Sequence, residues 1–321
     1  MARGDVVAGT DASAWDALDP WPRLPVADWQ DTRDTLHMWT QIVGKVCLSL
    51  APPVNHWWAT TFHVTATGLT TPVLPYRGGG IQIDFDFFRH ALSIATTTGA
   101  RRELQLEPRS VADLYREFRA RLMELDIDVR MFGRPVEIPV AIPFADDNEH
   151  ASYDPEAAAA FFRSLVSAER VLSEFRSRFT GKVSPVHFFW GAFDLAVTRF
   201  SGREAPRHPG GVPNCADWVM EDAYSHEVSS CGYWPGGADE GIFYSYAYPE
   251  PAGFGSSVVE PDAAFYDETL GEFILPYADV RTSGDPDSTL LSFLQSTYGR
   301  AADLAQWDRA ALEAERDAPT S

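Results

Sequence analysis

The fold class that this chain of 321 residues predicts is α+β, with antiparallel strands and helices packed against them. The expected arrangement is two pseudo-repeated helix–antiparallel-strands–helix halves forming one compact unit. Two observations point there. Runs with a 3.6-residue apolar period open and close each half, and the segments between them are short, rich in β-branched and aromatic residues, and separated by turns. The second observation is self-similarity. Lys and Arg total 26, yet only two are Lys, and both stand in the same tripeptide: Gly44-Lys45-Val46 and Gly181-Lys182-Val183. Each is followed by a His and two aromatic residues, His56-Trp57-Trp58 and His187-Phe188-Phe189, and then by Phe62 or Phe193 six residues after the His. The lysines are 137 residues apart and the histidines 131, so an insertion of six residues in the first copy accounts for the offset. Repetition of this kind predicts a duplicated structural unit.

The elements follow in order. Residues 1–25 are small and acidic and read as a loosely ordered leader, and the first half covers 26–133. Its first helix is expected at 31–50, where Met38, Ile42 and Val46 fall one turn apart. A strand at 57–66 ends at Thr67-Gly68, and strands at 81–88 and 91–98 follow, the second turning at Thr98-Gly99. Ser110 opens the next helix, with Asp113 placed for a capping-box-like contact and Val111, Leu114, Phe118, Leu122 and Leu125 as its apolar stripe. One more strand is expected at 127–132. Residues 134–153, rich in Pro and acidic side chains, read as a linker. The second half, 154–310, opens on a helix whose stripe is Phe161, Leu165, Ala168, Leu172, Phe175 and Phe179. A strand system at 187–200, a long Gly/Pro-rich loop at 201–241, strands at 243–248 and 272–275, and a helix at 286–304 complete it, with 311–321 as a tail.

Composition bounds the function. A formal charge of −20 and a pI near 4.7 argue against nucleic acid or an anionic membrane as partner, since both call for basic patches. No apolar run approaches the ~18 residues of a membrane span. Cys47, Cys215 and Cys231 show neither a disulfide framework nor a zinc spacing, in keeping with a reducing cytoplasm.

Several runs resemble a bacterial family. They are Thr35-Leu36-His37-Met38-Trp39-Thr40-Gln41-Ile42-Val43-Gly44-Lys45, Gln82-Ile83-Asp84-Phe85-Asp86-Phe87, Ser184-Pro185-Val186-His187-Phe188-Phe189-Trp190-Gly191, Tyr224-Ser225-His226-Glu227-Val228-Ser229-Ser230-Cys231-Gly232 and Gly271-Glu272-Phe273-Ile274-Leu275-Pro276-Tyr277. On these the chain is similar to domain-of-unknown-function family 5996, from about Trp21 to Trp307. The resemblance implies a cytosolic bacterial protein of one repeated architecture and brings no activity or catalytic residue with it.

The chemistry must therefore come from the residues. If 57–66 and 187–200 are equivalent strands, His56 and His187 open them on faces shared with apolar residues. Each reads either as a core histidine bonded to a backbone carbonyl or, through a pseudo-twofold, as half of one shared site. In 201–241, His226 and Cys231 stand five apart beside Glu227, in a loop long enough to be functional. The metal candidates are His56, His187 and His226, which would take a divalent cation. The catalytic candidates are His187, His226, Glu227 and Asp194. Asp194 lies among apolar residues and needs a partner, for which Arg199 or Lys182 is available. Asp84 and Asp86 alternate with Ile83, Phe85 and Phe87, the pattern of a solvated outer sheet face. Ligand-binding candidates are Lys45, Lys182, Trp190, Tyr244 and Tyr246, since the second half concentrates aromatic residues as binding cavities do. A lysine after a helix-ending glycine also suits a simple helix-capping role.

Two functional classes fit. One is an enzyme acting on a small aromatic or acidic molecule in a His-containing cavity between the halves; the other is a non-catalytic protein that binds a small molecule in the same cavity.

Overall fold

The computed structural model describes residues 18–314. Most of the expected leader and the end of the expected tail lie outside them. Three of the long helices begin where sequence-local chemistry dictates. Ser110 accepts a hydrogen bond from the Asp113 amide ahead of α2 (Val111–Glu124). Asp154 accepts from the amides of Glu156 and Ala157 ahead of α3 (Pro155–Ser177), and Asp285 accepts from Ser288 ahead of α6 (Pro286–Leu304). The last two helices carry Pro at their first position, where its missing N–H is no loss. The first helix, α1 (Val26–Leu50), starts five residues before the expected 31 and runs through Gly44-Lys45 to Leu50. It stops at Ala51, which is extended as the residue before a proline tends to be. Gly44 is therefore no helix end and Lys45 does not cap there; the helix before Gly181-Lys182 likewise ends earlier, at Ser177 with Arg178 as its cap.

The strands form two six-stranded antiparallel sheets. The first comprises β1 (His63–Val64), β2 (Gly68–Thr70), β3 (Leu74–Tyr76), β4 (Gly79–Asp86), β5 (Ala91–Thr96) and β6 (Arg101–Gln105), in the order β1-β2-β4-β5-β6 with β3 also on β4. The second comprises β7 (His187–Phe189), β8 (Asp194–Glu204), β9 (His226–Trp234), β10 (Ile242–Tyr248), β11 (Phe265–Asp267) and β12 (Glu272–Pro276), in the order β11-β12-β10-β9-β8-β7. Phe62 and Phe188 exchange backbone hydrogen bonds of 2.9 and 2.7 Å and so join the sheets. One hydrophobic cluster extends from Trp21 to Trp307 and takes residues from every long helix and both sheets. The architecture is thus α+β.

Three expected segments differ. The strand at 57–66 is mostly a turn: a short 3-10 helix, Asn55–Trp57, holds His56 and Trp57 at positive φ, and only 62–64 pair with other strands. Residues 127–132 form no strand. The stretch 201–241 holds the end of β8, a helix α4 (Asp217–Ala223) and all of β9, which leaves mainly 205–216 and 235–241 irregular. Val111-like periodicity could not reveal β9, because Ser229, Ser230 and Gly232 interrupt its apolar residues. Asp84 and Asp86 serve locally: Asp84 accepts from Thr70 at 2.6 Å and from Gln82 at 2.8 Å, and Asp86 accepts from the amides of Phe88 and Arg89 in the following turn.

Candidate functional site

Period-two alternation divides the second sheet. Leu195, Val197 and Arg199 of β8 are buried on the side of α3 and α6, where Arg199 lies over the rings of Phe175 and Tyr298 at 3.5 and 4.2 Å. Asp194, Ala196, Thr198 and Phe200 face the other way, with Val228 and Ser230 of β9 and Tyr244 and Tyr246 of β10. That face borders a cavity of about 510 Å³. Its remaining walls are Trp57, Trp58 and Thr60, Val136 and Glu137, Phe189 to Ala192, and Cys215 with α4. The volume falls in the range of small-molecule sites, and the walls are mostly apolar with a few placed polar groups.

Asp194 is the most unusual of those groups. It is 7% exposed and forms no ion pair among the described residues. The two expected partners do not reach it: Arg199 stands an odd number of residues along the same strand and so on the opposite face, and Lys182 turns to His56. Its partner is Tyr244, whose hydroxyl donates to Oδ2. The tyrosine reaches from β10 to β8 across β9, and Gly232 makes this possible. Gly232 pairs with both Ala196 and Tyr244, and a Cβ there would lie 2.5 Å from the Tyr244 Oη and 2.3 Å from the Leu195 carbonyl oxygen. Burial drives the Asp194 carboxyl up to about 7, with the Tyr244 hydrogen bond pulling down and the nearby Glu137 pushing up further. Beside it, the hydroxyls of Tyr246 and Tyr224 are 2.7 Å apart, and Thr198 and Ser230 are joined at 2.8 Å.

Glu137 comes from the segment that reads as a linker. Gln41 of α1 holds that segment: its amide donates to the Val136 carbonyl at 2.7 Å, and its Oε1 accepts from the Val136 amide at 2.9 Å. The Glu137 amide then donates to the Pro213 carbonyl at 2.9 Å, and the residue sits at φ 64. A non-glycine residue there is strained and persists because both neighbours are fixed. The carboxylate lies against Gly191, where a Cβ would come within 2.1 Å of Oε1. Glu137 is exposed where it opens onto the cavity; the protein packed around it still raises its carboxyl, opposed by the ammonium of Lys45. Lys45 itself is buried behind Trp190, 5.2 Å from that ring and 5.7 Å from Phe132, and burial lowers its ammonium to about 8. Trp190 approaches this closely because Gly44 has no side chain; a Cβ would be 2.1 Å from the indole. The Trp190 Nε1 donates to the Thr60 carbonyl at 2.8 Å.

Helix α4 covers the cavity, and none of its residues is buried. The turn at Asn55–Trp57 clasps it: the Trp57 Nε1 donates to the Val219 carbonyl at 2.9 Å, and the His56 amide donates to Asp222 at 3.1 Å. His56 Nδ1 lies 3.1 and 3.0 Å from the carbonyls of Asp222 and Ala223, which assigns it the proton. Its Nε2 then accepts from the Lys182 ammonium at 2.8 Å. Lys182 also rests on Trp58 and Phe200 at 5.3 and 5.0 Å.

The other expected site residues lie elsewhere. His187 is fully buried, contacts Thr61 Oγ1 at 2.9 Å through Nδ1, and does not border the cavity. Burial holds its imidazolium down at about 3. His226 bonds Ser225 and its ring lies 5.9 Å from that of His56. Glu227, one residue on and so on the other face, pairs with Arg203 at 2.6 Å, and Arg203 also donates to the Ala305 carbonyl at the end of α6. Cys231, five residues from His226, is likewise on the opposite face, with Sγ toward the Val197 carbonyl. His56, His187 and His226 do not converge, and among the described residues no three His, Cys, Asp or Glu side chains are arranged to hold a metal ion. Asp194, Trp190, Tyr244 and Tyr246 do meet at one cavity, with His56 on its border and Lys45 and Lys182 just outside its lining.

Sequence reasoning missed Glu137, Tyr224 and the α4 cover. The only local signal for Glu137 is an acidic residue inside the apolar run Pro135-Val136-Glu137-Ile138-Pro139. No helix among the described residues is long and apolar enough to cross a membrane. No curated protein and no solved structure matches this chain significantly. The family model covers nearly all of it, however, and on residues 21–314 the chain belongs to the family of unknown function DUF5996.

Proposed function

We propose that this protein is an enzyme acting on a small aromatic molecule held in the cavity beneath α4, with Asp194 and Glu137 as its acid–base groups. The observation that carries this is the Asp194 carboxyl, set on a mostly apolar wall by Tyr244 and sharing the space with a second carboxyl. A carboxyl that titrates near neutrality donates and accepts protons with comparable ease, which is the condition for general acid–base work. The rings of Trp57, Trp58, Phe189, Trp190 and Trp218 suit a flat apolar body. Two carboxyls in one cavity disfavour the acidic ligand that is the other sequence-based expectation.

In the same reading the protein works in the bacterial cytoplasm on a small molecule rather than on nucleic acid or a membrane, as its acidic composition supports. It also has two pseudo-repeated halves. Each opens on a long helix, continues through six antiparallel strands and reaches another long helix, the second with short helices added, and each Gly-Lys-Val lysine rests on a Trp that follows the other copy's His.

Metabolite profiling tests the enzyme reading. Wild type, Asp194→Asn and Glu137→Gln would each be incubated with a bacterial small-molecule extract and the mixture followed by mass spectrometry. The proposal expects wild type alone to consume a low-mass aromatic compound. Retention without consumption would favour the non-catalytic binding protein, and neither outcome in any extract would remove both readings.

A further inference from the structure

Glu137 and Asp194 border the cavity, yet neither has a cationic partner in contact among the described residues. Asp194 accepts from Tyr244 and from its own amide, no cationic side chain reaches it, and no hydrogen bond to the Glu137 carboxylate is made among the described residues. The chain's two lysines stand nearby but are committed outside the lining, Lys45 on Trp190 and Phe132, Lys182 on His56, Trp58 and Phe200. A carboxylate as buried as Asp194 is costly without a cation, and the open acceptors of Asp194 and Glu137 border space large enough for a ligand. The walls that flank them are aromatic faces, which attract a cation and not an anion.

From this we infer that the ligand is a cationic aromatic amine, its ammonium bound between Asp194 and Glu137 and its ring among Trp57, Phe189, Trp190 and Trp218. The inference rests on the cavity reading proposed above. An ammonium offers three N–H donors to a wall that supplies only acceptors. It also supplies the positive charge that would let both carboxyls ionise together. Tyr244 and Glu272 also face Asp194, and Lys45 and Cys215 face Glu137, so these groups share in the titration.

Three probes with one indole body separate the possibilities: tryptamine (cation), tryptophol (neutral) and indole-3-acetate (anion), titrated by calorimetry into the full-length protein at pH 8 and pH 5.5. Tryptamine is expected to bind about 10- to 100-fold more tightly than tryptophol at pH 8, the span of a charge-assisted hydrogen bond. That advantage should shrink at pH 5.5, as the carboxyls take up protons. It should also narrow in Asp194→Asn and in Glu137→Gln, with melting curves confirming that each variant is folded. Equal or tighter binding of tryptophol or indole-3-acetate overturns the inference and leaves the cavity reading standing. Absence of binding by all three at millimolar concentration removes both.

Discussion

Asp194→Asn should make the protein more stable, and only above about pH 4. Burial raises the Asp194 carboxyl from 3.8 to about 7, so between those values the folded state keeps a proton that the unfolded state has lost. Stability falls with rising pH wherever the folded state binds more protons, so the wild type loses stability across that window and has lost it fully above pH 7. At 1.36 kcal/mol for each tenfold shift in proton affinity, the loss is at most about 4 kcal/mol. Asn has the same shape, its Oδ1 still accepts the Tyr244 hydroxyl, and it carries no charge at any pH. The variant therefore escapes the loss while keeping the hydrogen bond. Urea unfolding of both proteins at pH 4.5, 6, 7 and 8.5 measures it. The stability difference should be no more than about 1 kcal/mol at pH 4.5 and climb to as much as about 4 kcal/mol at pH 8.5. Glu272 is also raised to about 7, but it is present in both proteins and its own contribution largely cancels. A difference that is flat with pH, or a variant less stable at pH 8.5, would refute the claim that an uncompensated carboxyl stands on the cavity wall.

Two further outcomes follow from the packing around the same wall. Gly232→Ala places a methyl group 2.5 Å from the Tyr244 hydroxyl oxygen and 2.3 Å from a backbone carbonyl. It should lower stability by about 1–3 kcal/mol, read as a drop in melting temperature, and should displace Tyr244 from Asp194. Lys45→Met should stabilise the protein by up to about 3 kcal/mol at pH 7, because burial lowers the ammonium from 10.5 to about 8 and a charged Lys45 is therefore the disfavoured form. The gain should fade between pH 8 and pH 10.5, since the wild type itself recovers stability as Lys45 deprotonates in the folded state first; a destabilised Met variant at pH 7 would show that the ammonium is needed where it is.

The legible part of this fold was whatever depends on near neighbours in the chain. The stripes of α2 and α3 and the cap at Ser110 are local patterns, and each stands where such patterns put it. Asp194, Trp190, Tyr244 and Tyr246 were legible as candidates because a carboxylate among apolar residues and a density of rings are visible in one dimension. The errors concern register and face. His56 looked like a strand residue, but it takes positive φ to clasp a helix 166 residues away. Glu227 and Cys231 looked like neighbours of His226, but an extended strand sends them to the other face. Glu137 was hidden for a different reason: its place is set by Gln41, 95 residues earlier for Val136, and by Pro213, and no local feature announces either bond.

The two lysines show why the cavity depends on the whole chain. Lys45 belongs to α1, but the ring it rests on, Trp190, comes from the turn between β7 and β8. Lys182 follows α3, but Trp58 and His56 come from the turn ahead of β1. Each contact of this type is worth roughly 0.5–2 kcal/mol, and each is lost if the segments on either side of residue 150 separate. The Phe62–Phe188 pairing and the single core are lost with them. The cavity walls are drawn from both sides too, with Trp57, Trp58 and Glu137 on one and Asp194, Tyr244 and α4 on the other. A ligand in the cavity therefore binds only the fully assembled chain, and its binding energy adds to global stability rather than to one half. The rare lysines thus lie across the two cavity walls from outside, while the carboxyls inside are left without a protein cation in contact.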